Sequence, residues 1–178
     1  GRDAVLLKLS DYTVIHFATH AAFVKGQPET SFILFGNGDK VTLREIENWS
    51  LQNLDLVVLS ACETGLGGLG NGEEVLGLGY QFQRAGARTA IASLWSVNDS
   101  STQVLMDAFY KALTTPGATK VSALRRAQLA LMTGHSTDSN RPRGIGIVLP
   151  QELNSDQSNS PFAHPYYWAP FILIGNGF

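Results

Sequence analysis

The sequence of 178 residues has little charge, one cysteine and no long apolar run. Charged residues make up 16% of the chain, below the average of about 25%, which indicates that much of the chain is interior. Lys and Arg number 13 and Asp and Glu 15, so no basic excess points to nucleic acid or to a membrane surface. No apolar run approaches the roughly 18 residues of a membrane span, and the first ten residues do not resemble a signal peptide.

The single cysteine, Cys62, excludes an internal disulfide framework and any site that needs several thiolates. The four histidines show no metal-ligand spacing, so we expect no metal and no other cofactor. We therefore expect a single domain over residues 1–178 in the reducing cytoplasm.

Short apolar runs alternate with amphipathic segments along the chain. Runs typical of buried or edge strands lie at 12–18, 54–60, 89–95 and 168–174, with a small hairpin at 32–41. Helices are predicted at 43–49, 73–84, 99–113 and 119–132. Thr42 is expected to cap the first of these helices, and Gly86 to close the second. This alternation predicts an α/β fold with a mostly parallel sheet.

Three residues whose side chains could act in catalysis or in substrate binding follow predicted strands: His20, Cys62 and Asp99. The carboxyl ends of parallel strands meet at one edge of a sheet, where functional groups gather. A thiol and an imidazole at that edge would supply a nucleophile and its base. The same residue types also fit a buried structural cysteine and a structural histidine, and Glu63 would oppose thiolate formation if it pointed inward.

Four separate motifs closely resemble the CHAT domain, a family that belongs with the caspase-, separase- and gingipain-like cysteine peptidases. They lie at 15–20, 59–65, 92–99 and 167–171, and the resemblance covers about residues 12–176. It implies a caspase-like three-layer sandwich, with a mostly parallel sheet and helices on both faces. It also implies that His20 is the catalytic histidine and that Cys62 is the nucleophile.

The resemblance separates His20 from His16, which lies inside the first strand and is expected to be enclosed and structural. The family usually has glycine after the catalytic histidine, and related peptidases use its N–H in the oxyanion hole. Here that residue is Ala21, so the expected backbone donors are those of Ala21 and Cys62. Alanine would cost about 1 kcal/mol if the position required a positive φ.

Asp99 lies in a stretch that looks like the part of separases whose acidic residue receives a basic side chain of the substrate. The resemblance implies cleavage after Arg or Lys, which a carboxylate can bind. Asp99 or Asn98 could equally cap the helix that begins there. Both interpretations stay open.

Residues 65–70 match the dinucleotide fingerprint G-x-G-x-x-G. The glycines do not lead directly into the helix, and its first residues, Glu73 and Glu74, would repel a pyrophosphate. A flexible loop beside the nucleophile is the better interpretation. The polar segment 135–162 is longer than an ordinary connection. It is either a surface loop or a regulatory loop that is cut near Arg141 or Arg143.

The first predicted strand is apolar on both faces, yet nothing before it can pair with it. We therefore expect the chain to lack the N-terminal strands of its sheet and to be the C-terminal part of a longer protein, or a processed subunit. The family resemblance adds that CHAT domains commonly follow TPR-type helical repeats, which sense a partner and gate the protease.

The sequence as a whole favours a cysteine endopeptidase that cleaves a protein substrate after a basic residue, without contact to nucleic acid or membrane. The alternative from another class is a catalytically silent CHAT-type regulatory module that binds partners and cleaves nothing. A nucleotide-binding domain is a third hypothesis.

Overall fold

The structure, a computed structural model, describes residues 1–22, 27, 29–60, 73–134 and 160–178. The chain divides into two compact units. Unit 1 comprises Gly1–Asn98 with Ala169–Phe178, and unit 2 comprises Asp99–Trp168. The glycine-rich stretch 65–70 and residues 135–159 of the predicted polar segment 135–162 lie outside the described residues.

Unit 1 is built on a four-stranded sheet in the order β1-β5-β6-β7. Its strands are β1 (Val14–Phe17), β5 (Leu56–Leu59), β6 (Thr89–Ser93) and β7 (Phe171–Gly175). The β1–β5 and β5–β6 pairs are parallel, and β7 pairs antiparallel with β6. Pro170 directly precedes β7 at the edge, where a missing N–H is tolerated.

A second, antiparallel sheet in unit 1 has the order β2-β3-β4, formed by Ala21–Ala22, Phe32–Leu34 and Lys40–Thr42. The hairpin of β3 and β4 confirms the sequence prediction. Strand β2 was not predicted, because two alanines carry no periodicity of their own. It forms only because its register places Ala21 opposite Ile33 and Ala22 opposite Phe32.

The helices of unit 1 are α1 (Arg2–Leu6), α2 (Leu43–Ile46) and α3 (Glu73–Arg84). Helix α2 begins with a complete capping box, in which the Thr42 N–H donates to Glu45 Oε2 at 2.8 Å and the Glu45 N–H donates to Thr42 Oγ1 at 3.3 Å. The hydrogen bond from the Thr42 backbone, helped by nearby Arg2, lowers the pKa of Glu45.

Helix α3 ends in a Schellman motif built on Gly86, as predicted. The Gly86 N–H donates to Gln83 O at 2.9 Å, and the Ala87 N–H donates to Phe82 O at 3.0 Å. Gly86 has a φ of +115°, and a Cβ there would lie 2.9 Å from the Gln52 backbone nitrogen. Both the left-handed backbone conformation and the close approach of the Gln52 backbone therefore require glycine at this position.

Strands β5 and β6 are buried along their whole length, as expected for central strands that are apolar on both faces. The core on one side of this sheet contains Phe17 and Phe82, whose rings lie 5.7 Å apart, with Trp49 against Phe82 at 6.3 Å. Val57 and Leu59 belong to the same core.

Strand β1 lies at the edge of the described sheet, and one of its faces is exposed although its sequence is apolar on both faces. Phe17 is buried and Ile15 half-buried, but Val14 and His16 are exposed. Alternate residues of a strand face opposite sides, so the exposed pair shares one face. An apolar run thus does not distinguish a central strand from an edge strand.

Unit 2 is a pair of contacting helices, α4 (Asp99–Leu113) and α5 (Lys120–Thr133). Thr119 caps α5 by accepting from the Ser122 N–H, and Gly134 ends it in the left-handed conformation. Gln128 donates to the Trp168 carbonyl at 3.2 Å and Ser160 donates to the Leu131 carbonyl at 2.6 Å, which ties the segment after residue 160 to α5. The predicted bounds of both helices are confirmed within one residue.

The α/β class and the mostly parallel sheet are confirmed. The arrangement is consistent with a caspase-like sandwich, although the sheet of the described residues has four strands.

We predict that Gly86→Ala lowers the free energy of unfolding by about 2 kcal/mol, through left-handed strain and overpacking against Gln52. The matched control is Gly36→Ala, because no heavy atom lies within 4 Å of a Cβ built at Gly36. The control should change stability by less than about 0.5 kcal/mol. Urea unfolding with an unchanged m value measures both, and equal midpoints for the two variants would contradict the role of Gly86.

Candidate active site

The candidate site begins where the parallel ladder of β1 and β5 ends. The last bond of this ladder runs from the Ser60 N–H to the Phe17 carbonyl, 3.2 Å away. His20 follows three residues after Phe17, and Cys62 two residues after Ser60. Both residues therefore come from segments that leave the carboxyl end of the sheet, the usual place for a site in such folds.

The His20 backbone is held by the second sheet. The Leu34 N–H donates to the His20 carbonyl at 2.8 Å, and the Thr19 hydroxyl donates to the Leu34 carbonyl. The imidazole of His20 is exposed. Among the described residues, no side-chain hydrogen bond is seen to its ring nitrogens.

Ala21 is 4% exposed and lies in β2. Opposite residues of an antiparallel pair alternate between exchanging and not exchanging backbone hydrogen bonds. Because His20 bonds to Leu34, the next pair, Ala21 with Ile33, does not exchange such bonds. The Ala21 N–H therefore points away from β3, and the extended strand imposes no left-handed strain on alanine.

His16 is not enclosed, contrary to the prediction. Its Nε2 lies 2.8 Å from the Ser60 hydroxyl, and the residue is exposed as a whole. Partial burial of the ring nevertheless lowers the pKa of His16 below its ordinary value of 6.5. The neutral imidazole is therefore the favoured form near pH 7, in which Nε2 either accepts from or donates to the hydroxyl.

Ser60 is a polar contact that the sequence prediction missed. It directly follows the fully buried strand β5 and is itself half-buried. The sequence did carry a signal for this contact. The Ser60 hydroxyl comes immediately after four apolar residues and two positions before the single cysteine.

The remaining candidates fall in different parts of the chain. Cys62 and Glu63 lie outside the described residues, as do Arg141 and Arg143. Asp99 is exposed and begins α4 in unit 2, directly after Asn98. That position fits the structural interpretation as a helix-start residue and leaves the substrate-binding interpretation untested.

Of the two remaining histidines, the structure describes His164, which has a structural contact. His164 Nδ1 accepts from the Tyr166 N–H at 3.2 Å, which caps a short 3-10 turn, and His135 is outside the described residues. Within the described part of the chain, no three metal-ligating side chains cluster. Across the same residues, no helix has the length and apolar character needed to cross a membrane.

Two comparisons with known proteins extend over nearly the whole chain. The CHAT domain family matches residues 2–176. The chain is also 23% identical over 211 residues to tetratricopeptide repeat protein 28 of Mus musculus. That alignment covers 98% of this chain and 8% of the mouse protein, so the chain spans a small part of its relative. The family match extends over nearly the whole sequence, and the chain belongs to the CHAT domain family.

Proposed function

We propose that this CHAT domain is a cysteine endopeptidase in which Cys62 is the nucleophile and His20 its base. The observation that carries the proposal is the exposed His20 imidazole beyond β1, beside the strand whose chain continues to the single cysteine. Covalent geometry limits where Cys62 can lie: two peptide units join Ser60 to Cys62, so the Cα atoms of these two residues are within roughly 7 Å of each other. Ser60 itself directly follows β5, the strand that pairs with β1.

The proposed reaction is acyl transfer through the thiol. His20 takes the thiol proton, and the sulfur attacks the carbonyl carbon of the scissile peptide bond. The imidazolium then gives its proton to the leaving amine, which departs as the C–N bond breaks and leaves a thioacyl enzyme. Water, deprotonated by His20, hydrolyses the thioester and restores the thiol.

The oxyanion formed in this attack needs backbone donors. The Ala21 N–H is one candidate, because β3 does not use it and it follows His20 directly. The Cys62 N–H is the second candidate, carried over from the family resemblance. Preorganised donors of this kind typically contribute a factor of about 10²–10³ in rate.

The substrate class and its control are proposed from the family resemblance and the mouse relative. We propose a protein substrate that is cut after Arg or Lys, with the Asp99 carboxylate binding the basic side chain. The name of the mouse relative supports control by a TPR-like region, either in the same polypeptide or in a separate partner. A reducing cytoplasm would keep the single thiol active.

The direct test is labelling by a peptidyl-arginine acyloxymethyl ketone, followed by intact mass. We expect one adduct per chain, since the sequence has one cysteine, and loss of the adduct in Cys62→Ala. His20→Ala should slow labelling by about 10²-fold or more, because the thiol loses its base. His164→Ala is the matched control and should label at the wild-type rate.

Absence of labelling in the protein together with its TPR region would contradict the peptidase and favour the silent regulatory module. Equal rates for wild type and His20→Ala would contradict the dyad. A nucleotide-dependent rise in melting temperature would instead support the third hypothesis.

Ala21→Pro tests the oxyanion donor, because proline removes an N–H that the β2–β3 ladder does not use. We expect labelling by the ketone to slow about 10²-fold, since the tetrahedral intermediate loses a hydrogen bond. Alkylation of Cys62 by iodoacetamide forms no oxyanion and should keep its rate. Ala21→Gly retains the N–H and serves as control. A folded Ala21→Pro protein that reacts normally with the ketone would exclude this donor.

Asp99→Ala tests the specificity carboxylate with two probes, P1-Arg and P1-norleucine. Loss of a charge-assisted contact should slow the P1-Arg reaction roughly tenfold or more and leave the P1-norleucine reaction unchanged. Asp107→Ala, an exposed carboxylate on the same helix, is the control. If both probes react equally with Asp99→Ala and with wild type, Asp99 only begins the helix.

A further inference from the structure

The hydrogen bond between His16 and Ser60 has no part in the mechanism proposed above. Its atoms, His16 Nε2 and Ser60 Oγ, lie 2.8 Å apart. It joins β1 to the first residue after β5. The partner of His16 in the backbone register is Val58, so the side-chain bond reaches a residue two positions further along the chain, just beyond the end of β5.

This bond crosses the point where the two strands separate. The backbone ladder ends at the Ser60 N–H, which donates to Phe17 O. Beyond Phe17 the chain turns into the second sheet, where Leu34 holds the His20 carbonyl. The His16–Ser60 bond therefore joins the two strands diagonally across the last residue pair of the ladder, Phe17 with Leu59. We call this side-chain hydrogen bond the brace.

Strand β1 depends on such a brace more than a central strand would. It has four residues, and its neighbour within the described sheet is β5, on one side. Its amino end is fixed by Asn53, whose side chain donates to Leu9 O at 3.0 Å and Tyr12 O at 2.7 Å. The side-chain bond of His16 constrains the opposite end, from which His20 follows.

The residue types of His16 and Ser60 also indicate that their contact orients the two strand ends and does not simply fill space in the core. Strand β5 is Leu-Val-Val-Leu, and an apolar residue at position 16 would match it by hydrophobic contact. The chain instead has a hydrogen-bonded pair at the carboxyl end, on the exposed face of β1. A directional contact fixes an angle between strand ends, which hydrophobic contact does not.

We propose that the His16–Ser60 hydrogen bond positions the catalytic pair by fixing the carboxyl ends of β1 and β5. This inference rests on the proposed function of His20 and Cys62. His16 and Ser60 are proposed as positioning residues, which act through the segments that follow them.

The test measures labelling of Cys62 by the peptidyl-arginine ketone as a function of ketone concentration. His16→Phe and Ser60→Ala should each lower the maximal labelling rate about tenfold, since small displacements of reacting groups slow catalysis strongly. The ketone concentration for half-maximal rate should stay within about twofold. The double variant should be no slower than either single variant, because all three lack the same bond.

Conservative variants separate positioning from a purely structural role. His16→Gln carries an amide group near the position of Nε2, and Ser60→Thr keeps the hydroxyl. Both should restore the maximal rate to within about threefold of wild type. Melting temperatures of all variants should stay within about 4 °C of wild type, because the bond is partly exposed to solvent.

The outcomes distinguish this inference from the proposed function. If His20→Ala slows labelling but His16→Phe and Ser60→Ala react like wild type, the brace is excluded and the dyad stands. If the single effects multiply in the double variant, the two residues act separately and the inference is also overturned. If His20→Ala does not change the labelling rate, both the proposed His20–Cys62 dyad and the proposed role of the His16–Ser60 bond are contradicted.

Discussion

The parallel pairing of β1 with β5 is the constraint on which the rest of unit 1 depends. Four register pairs, from Val14 with Leu56 to Phe17 with Leu59, fix the strand that leads to His20 beside the strand that leads to Cys62. Because β5 is central and fully buried, its position is set by the core. Strand β1 is at the edge of the sheet that the described residues form, and its contacts there include β5, the Asn53 side chain at its amino end and the His16–Ser60 hydrogen bond at its carboxyl end.

The two sheets of unit 1 have different roles in placing His20. In the parallel sheet, β1 ends at the carboxyl edge, three residues before His20. The small antiparallel sheet then holds the backbone of His20 and Ala21 by pairing with β3. The alternation of hydrogen bonds along β2 leaves the Ala21 N–H directed away from its partner strand. The same pairing thus holds the His20 backbone and leaves the Ala21 N–H outside the β2–β3 ladder. Because the strand is extended, alanine at this position has no left-handed strain.

Sequence reasoning succeeded where the signal is local. The Thr42 capping box, the glycine that ends α3 and the apolar runs of β5 and β6 each follow from residues adjacent in the chain. It failed for β2 and for His16, because both depend on non-local neighbours. Ala21–Ala22 becomes a strand only against Phe32 and Ile33, and the exposure of His16 follows from the edge position of β1. The motifs and their order identified the family, but the contact between His16 and Ser60 could be found only from coordinates.

The central claim is that the His20 imidazole assists the Cys62 thiol. The most direct measurement is the pH dependence of iodoacetamide alkylation, which reports on one sulfur because the sequence has one cysteine. The account predicts that His20→Ala moves the alkylation midpoint to higher pH, toward the value of about 8.5 for an unassisted thiol, while His164→Ala leaves it in place. Identical midpoints for wild type and His20→Ala would contradict it.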